Sequence, residues 1–388
     1  MTRILTQSLL AFFCTITLVV LLRDTARRMG LVDNPGGRKH HRGRIPLVGG
    51  IAIFGGFGFS ALLLGQSDPP LYEFRALLGG MGLLVLAGVL DDMHDLSPFA
   101  KLGLQTGAAL LMASWGGIYV RELGDLFGTG SSLPLGNFAI PFTVVCALGT
   151  INALNMTDGV DGLAGGLAAV SLAAFALIAY RTGQLTHLLV LGMLGGGVLG
   201  FLSFNMRHPL RHRASVFLGD AGSMSLGFAL CWFAVSLTRP SEVAVPPIAM
   251  VWLIAVPLID MGVVSMRRIA SRRSPFAADR EHLHHLLLRS GVSDGVTTLL
   301  LLISALACAG FGLAIASKLI SAAAGFYGFV ALAIAATTAV QLMSRRLRGR
   351  LPRDRQANGV TVPEPASKVV VLRDGGAVGS DARESTQR

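Results

Sequence analysis

The segment "VLDDMHDLSP" puts three carboxylates, Asp91, Asp92 and Asp95, within five residues. On a continuous helix Asp91 and Asp95 share one face at i and i+4, with Asp92 beside them. Carboxylates this close repel one another, so a cation is the expected partner. Their oxygen-only chemistry suits a hard ion such as Mg²⁺ or Mn²⁺. A second segment, "NALNMTDGVDGLAGG", adds carboxamides: Asn152, Asn155 and Asp158 recur every third residue and Asp161 follows at the same interval. Carboxamides can hydrogen-bond a sugar or a base while carboxylates orient a phosphate-bound metal, and Gly159 and Gly162 allow the chain to turn sharply beside a ligand. A third segment, "VFLGDAGSMSLGF", sets Asp220 between Gly219 and Gly222 with Ser223 close behind. A flexible backbone carrying one carboxylate and one hydroxyl suits a metal–diphosphate complex; the plain alternative is a turn with an Asp cap.

Positive groups come from two further segments. In "RRIASRRSPFAADREHLHHLLLRSG", His282, His284 and His285 stand beside Arg280. No cysteine is near and the spacing fits no common zinc pattern, so imidazole and guanidinium groups bonding phosphate oxygens are the better reading. In "VDNPGGRKHHRGRIPLVGGIAIFGG", Arg38, Lys39 and His41 precede an apolar run, where an anionic lipid head would lie. Asp260 is separate, inside the apolar stretch "VWLIAVPLIDMGVVSMRR", as a buried partner for a basic group or a further part of the site.

The elements that carry these residues are apolar. Of 388 residues 52% are hydrophobic and only 14% charged, against about 25% charged in soluble domains, and mean hydropathy is +0.61. Apolar segments recur at roughly 4–22, 45–65, 76–91, 102–120, 136–155, 160–180, 185–204, 216–237, 246–266, 296–316 and 319–340, each near the length that crosses a hydrocarbon core about 30 Å thick. The expectation is an all-α polytopic membrane protein with about eleven transmembrane helices. The first segment lacks a small-residue cleavage site, so it reads as a span and not a removable signal. With the N-terminus outside, six basic residues fall outside (Arg3, Arg75, Arg121, Arg181, Arg239 and Lys318) and the other 27 of 33 fall inside, as the positive-inside rule requires. The C-terminus is then cytoplasmic. The net charge of +11 is mainly this topological signal, which leaves little room for nucleic-acid binding. Cys14, Cys146, Cys231 and Cys308 are dispersed singly, so neither a zinc ribbon nor a disulfide framework is indicated. Residues 1–344 form the expected membrane domain and 345–388 a basic, then disordered, cytoplasmic tail.

Drawn this way, Asp91, Asp92, Asp95, Asp158, Asp161 and Asp220 all gather at the inside ends of spans or in adjoining loops. One such Asp would merely mark a helix end; three separate loops on one face argue for a site, because ionisable groups at membrane depth are costly otherwise.

These segments, in this order, resemble the polyprenyl-phosphate N-acetylhexosamine-1-phosphate transferases, glycosyltransferase family 4, over roughly residues 30–290. "DDMHDLSP", "NALNMTDGVDGLAGG", "VFLGDAGS" and "SPFAADREHLHH" look like family motifs. The "DREHLHH" form is similar to the GlcNAc-1-phosphate branch and departs from the three-successive-histidine form of the muramoyl-pentapeptide branch. The resemblance implies Asp91 and Asp92 as the catalytic pair and Asp220 as a Mg²⁺ ligand, with Mn²⁺ an alternative and Asp92 and Asp95 as further candidate ligands. It implies Asn155, Asp158 and Asp161 in a nucleotide–sugar pocket, and Asn152 on the same stripe is a further substrate-binding candidate. His282, His284 and His285 would contact diphosphate or nucleotide, and Lys39 and His41 would help form the inside rim. The implied substrates are UDP-GlcNAc and undecaprenyl phosphate, the products undecaprenyl-diphospho-GlcNAc and UMP. The implied setting is the bacterial inner membrane with the site on its cytoplasmic face, at the first lipid-linked step of a cell-envelope polysaccharide; a homodimer is left open. The tail after about Arg355 matches nothing in the family.

Two other classes compete. An intramembrane aromatic prenyltransferase also holds Mg²⁺-diphosphate on Asp motifs but gives no reason for the His cluster or the Asn stripe. A transporter predicts ionisable groups near mid-membrane and matching inverted halves, whereas here the carboxylates gather at one face and no matching halves are evident.

Overall fold

The computed structural model describes residues 1–33, 44–64, 71–207, 211, 213–238, 245–270 and 282–349. Lys39, His41 and Arg280 lie outside them, as does the tail from 350. Met1–Arg345 form one compact unit; the second, Arg346–Arg388, is described only as far as 349.

Thirteen helices carry the described part of the chain. Helix α1 (Thr2–Met29) ends at Gly30 and leads into a two-residue antiparallel pairing, β1 (Val32–Asp33) with β2 (Ile45–Pro46), in the register Val32 to Pro46 and Asp33 to Ile45. Then follow α2 (Gly49–Leu63), α3 (Arg75–His94) and α4 (Pro98–Leu110), the last running on as one π-helical turn, Leu111–Trp115. Helices α5 (Ala139–Thr157), α6 (Leu163–Arg181), α7 (Leu185–Asn205) and α8 (Gly219–Ser236) complete the interior. Helices α9 (Pro247–Leu253), α10 (Ala255–Ala270), α11 (Leu283–Arg289), α12 (Asp294–Ala316) and α13 (Ala322–Gly349) follow. Each of the eleven expected apolar segments therefore holds a helix or a broken helix.

Seven of the described helices are long and apolar enough to cross a membrane, and α9 with α10 makes an eighth if that bent pair is one span. Helices α2, α4 and α8 fall short of the same test on length or hydropathy. The protein is an all-α polytopic membrane protein, and its outward surface agrees: Leu5, Phe13 and Leu21 on α1, Ile303 and Leu306 on α12 and Ile334 on α13 are exposed. Apolar surface left in water is unfavourable by about 25 cal/mol per Å², so hydrocarbon is the solvent these side chains fit.

Helix α8 is the hub. All of its residues except Asp220 and Ala234 are buried, and α2, α3 and α5 pack against it. The approach is close because small residues face its first turns: a Cβ on Gly50 would strike the backbone of Gly222, and one on Gly88 of α3 would strike the backbone of Ala221. Helices α9 and α10 meet at 84°. Pro257 accounts for this break, since it has no N–H for the carbonyl of Leu253 and its ring crowds that carbonyl. The freed oxygen accepts the hydroxyl of Ser171 on α6 at 2.7 Å.

Candidate active site

Three helix ends converge where α3 finishes, α4 begins and α8 begins. Helix α3 stops at His94, and Asp95 takes a left-handed conformation, φ 51°. Ser97 then caps α4 by accepting the N–H of Ala100, with Pro98 at the first helical position, an arrangement that starts helices well. This reversal brings Lys101 back over α3, where its ammonium pairs with Asp91 and also stands 3.5 Å from Asp220. Asp91 is 4% exposed, and its second oxygen accepts the N–H of Leu96 at 2.8 Å. Asp95, by contrast, is exposed. The third carboxylate beside Asp91 and Asp92 is Asp220 and not the expected i+4 neighbour, because the helix ends before Asp95 can complete that face.

Asp220 sits in the first turn of α8, after Gly219 with φ 71°. It is held by a helix N-terminus, where backbone N–H groups and the dipole favour negative charge; the flexible loop expected there is absent. Asp92 Oδ1 accepts the backbone N–H of Asp220 at 3.2 Å, while its Oδ2 is buried without a hydrogen-bond partner. A Cβ at position 219 would come 2.7 Å from that Oδ2, so a side chain there would crowd the Asp92 carboxylate. From α5, the Asn155 amide donates to Asp220 Oδ1 at 2.9 Å and to Ser223 Oγ at 2.8 Å. Asn152, one turn earlier, makes a reciprocal pair with Gln105 of α4, donating at 2.7 Å, and so spaces α4 from α5.

The loop after α5 forms the second half. Asp158 caps the helix end, and its carboxyl is pushed up to about 8 by lost hydration and then by the carboxylates of Asp220, Asp92, Asp161 and Asp33. Asp161 is clamped: it accepts Arg207 Nε at 2.8 Å and the N–H of Ala214 at 3.1 Å, and Arg207 continues to Asp294 at 2.5 Å. The side chain of Asn205 accepts the N–H of Gly162 and donates to the carbonyl of Val216, which fixes this loop against the approach to α8.

Against the same loop lies α11. His282 precedes it and bonds Asp260 Oδ2 through Nδ1 at 2.9 Å, while the N–H of Leu283 donates to Asp260 Oδ1 at 2.7 Å. Asp260 is thus the partner of a histidine. The rings of His282 and His284 stack at 5.9 Å and 12°, and His285 follows at 4.2 Å from His284. His284 Nε2 is buried with no hydrogen-bond partner, and a Cβ on Gly159 would come 2.5 Å from it. Burial, followed by the neighbouring His285, pushes the His284 ring down to about 3, so it is neutral at ordinary pH.

Most of the residues singled out by sequence are therefore in two groups that share the loop 158–162: Asp91, Asp92, Asp220 and Asn155 in one, Asp158, His282, His284 and His285 in the other. Lys101 and Arg207 were not among them. The signal for Lys101 is its place one turn into a helix that starts directly after the Asp cluster; a lysine at an inside helix end otherwise reads as topology alone.

Among the described residues no three His, Cys, Asp or Glu side chains already form a metal-holding cluster. The donor chemistry fits all the same: Asp91, Asp92 and Asp220 supply oxygens only, Asp92 Oδ2 is unpartnered, and Asn155 fixes Asp220 from behind.

The sequence model of a family described as Glycosyl transferase family 4 matches residues 74–238, a stretch that contains α3 to α8. Undecaprenyl-phosphate alpha-N-acetylglucosaminyl 1-phosphate transferase of Yersinia pestis is 36% identical over 300 residues, covering 77% of this chain and 81% of its own length. The protein of the same name from Haemophilus influenzae is 36% identical over 318 residues, covering 81% and 87%. That from Escherichia coli K12 is 35% identical over 301 residues, covering 78% and 81%.

Proposed function

The chain belongs to glycosyl transferase family 4, and from that membership we propose that it is the enzyme that transfers N-acetylglucosamine 1-phosphate from UDP-GlcNAc to undecaprenyl phosphate, releasing UMP. The observation that carries the reading is the placement of Asp91, Asp92, Asp220 and Lys101 at one junction of three helix ends. In the reaction an oxygen of the lipid phosphate forms a bond to the β-phosphorus of the nucleotide sugar. The bond from that phosphorus to the oxygen bridging it to the α-phosphorus breaks, and the electron pair leaves on UMP. Both reactants are anions, so their approach requires positive charge and fixed donors.

Lys101 supplies one such charge, already aimed between Asp91 and Asp220. Asp92 and Asp220 would hold Mg²⁺ or Mn²⁺, with Asp91 as a further oxygen donor. Such an ion, when bound, neutralises diphosphate oxygens and the charge that develops on the leaving phosphate. Asp91 or Asp92 takes the proton of the lipid phosphate or positions it for direct attack, which needs no covalent intermediate because a lipid phosphate is already a nucleophile. Asn155 holds Asp220 in place, and Asp158 and neutral His284 face the nucleotide sugar across the 158–162 loop; Lys39 and His41, proposed for the rim, and Arg280, proposed for phosphate oxygens, lie outside the described residues. The site faces the cytoplasm from the bacterial inner membrane, at the first lipid-linked step of an envelope polysaccharide. Residues 1–344 are the catalytic membrane domain, and 345–388 a cytoplasmic tail. Isolated membranes supplied in turn with UDP-GlcNAc, UDP-GalNAc and UDP-glucose test the donor: a lipid-linked product is expected from UDP-GlcNAc, and its absence with that donor contradicts the reading.

A further inference from the structure

At the ends of α6 and α12 farthest from the carboxylates lies a cavity of about 240 Å³, several times the ~30 Å³ that one water occupies. Two cations line it, Arg181 at the last position of α6 and Lys318 just beyond α12, together with the hydroxyl-bearing Thr182 and Ser317. The rest of its wall is apolar, with Ile178 and Leu313 on the two helices. Arg181 donates to Ser317 Oγ at 2.8 Å, which joins the two helix ends and fixes the guanidinium at the mouth. No acidic side chain among the described residues pairs with either cation.

A basic residue at a helix C-terminus is ordinarily explained by the helix dipole, and Arg181 alone would need nothing more. Lys318 is different. It occupies the left-handed position that closes α12, φ 59°, with the N–H of Leu319 bonded to the carbonyl of Ala314. Glycine is the residue that takes this position without strain, and it closes α1 at Gly30 and follows α6 at Gly183. Here a lysine is kept in a conformation that L-residues disfavour, in the lining of the cavity, and no acidic side chain among the described residues pairs with it.

We infer that this cavity binds the phosphate-bearing head of an anionic phospholipid. Arg181 and Lys318 take the phosphate oxygens, Thr182 and Ser317 offer hydroxyl donors, and the chains lie along the apolar wall toward the hydrocarbon. The site stands apart from the transfer reaction and from the reading given to it: none of its residues touches the carboxylate cluster.

The test uses the full-length protein purified in detergent and returned to bilayer discs of phosphatidylcholine with or without phosphatidylglycerol, bound lipid being read by native mass spectrometry. Wild type should retain phosphatidylglycerol over phosphatidylcholine, and Arg181→Gln and Lys318→Gln should each lower that retention about tenfold, the worth of one charge-assisted hydrogen bond. Lys318→Gly separates recognition from folding, because it relieves the left-handed strain: it should melt no lower than wild type and still lose the lipid. Equal retention by wild type and Lys318→Gly overturns the inference. Inorganic phosphate is the second arm; if it displaces the lipid at concentrations comparable to the lipid's own, the site belongs to free phosphate and the assignment to a lipid head fails.

Discussion

Lys101 reaches back across the turn at Asp95–Pro98 to hold the carboxylate of Asp91. The pair gives the buried carboxylate of Asp91 a counter-charge, without which an ion there would be strongly unfavourable. It also leaves an ammonium at the point where two anionic substrates must meet. Lys101→Gln should lower the transfer rate by about 10²–10³-fold, the usual cost of removing one donor to developing charge. Lys101→Arg should restore only part, because a planar guanidinium does not replace a compact ammonium between two carboxylates. Initial rates in detergent at saturating metal decide this; a near-normal Lys101→Gln enzyme would remove Lys101 from the mechanism.

Asp220→Asn keeps the shape of the side chain and its contact with Asn155 while removing a charged oxygen ligand. The protein should insert and be recovered at normal yield, with turnover abolished at ordinary Mg²⁺ and the Mg²⁺ concentration for half-maximal rate raised. Normal turnover at low Mg²⁺ would rule out a ligand role.

The contact of His284 with Gly159 gives a test of the second half-site. His284→Ala should weaken use of the UDP-sugar without changing Mg²⁺ dependence or the zinc content of the purified protein. Gly159→Ala, which places a methyl against the ring, should act in the same direction on KM. A changed Mg²⁺ requirement in either variant would move these residues to the metal.

Stability should show the same ring. His284 falls from an ordinary 6.5 to about 3 on folding, so between those values the unfolded chain binds the extra proton. Stability then rises with pH through this window and is lost as pH falls from about 6.5 toward 3. His284→Gln should lose less melting temperature than wild type over that range, and parallel curves for the two would contradict the burial of an uncharged ring.

Orientation is tested by reporters. A fusion after Arg350 should report the cytoplasm and one at Asp68 the opposite side; swapped signals would place the site on the wrong face.

Much of this was legible in the sequence, and the limits have physical causes. Hydropathy locates spans because lipid imposes one requirement on every residue of a segment, so α1, α3, α5 to α7, α12 and α13 fall where the apolar runs do. The break between α9 and α10 depends on a single residue, Pro257, inside a run that stays apolar throughout. Asp91, Asp92, Asp158 and Asp220 stand out because carboxylates are expensive there. Their partners do not: Lys101 reads as topology, Arg207 as a loop cation and Asp260 as a buried partner for some unspecified basic group, until the fold sets α4 beside α3, brings Arg207 to Asp161 and Asp294, and brings His282 to Asp260. The Asp91–Asp95 face failed for a local reason, since α3 ends one residue too early.

The bond that breaks tests the central claim most directly. UDP-GlcNAc labelled separately in its sugar and in its β-phosphate, supplied with undecaprenyl phosphate to the purified enzyme, should deliver both labels to the lipid product and release UMP. Added UMP should drive the reaction backwards, because one pyrophosphate link replaces another of similar energy. Release of UDP, with the β-phosphate label remaining on the nucleotide, would contradict phosphosugar transfer even if a lipid-linked sugar formed.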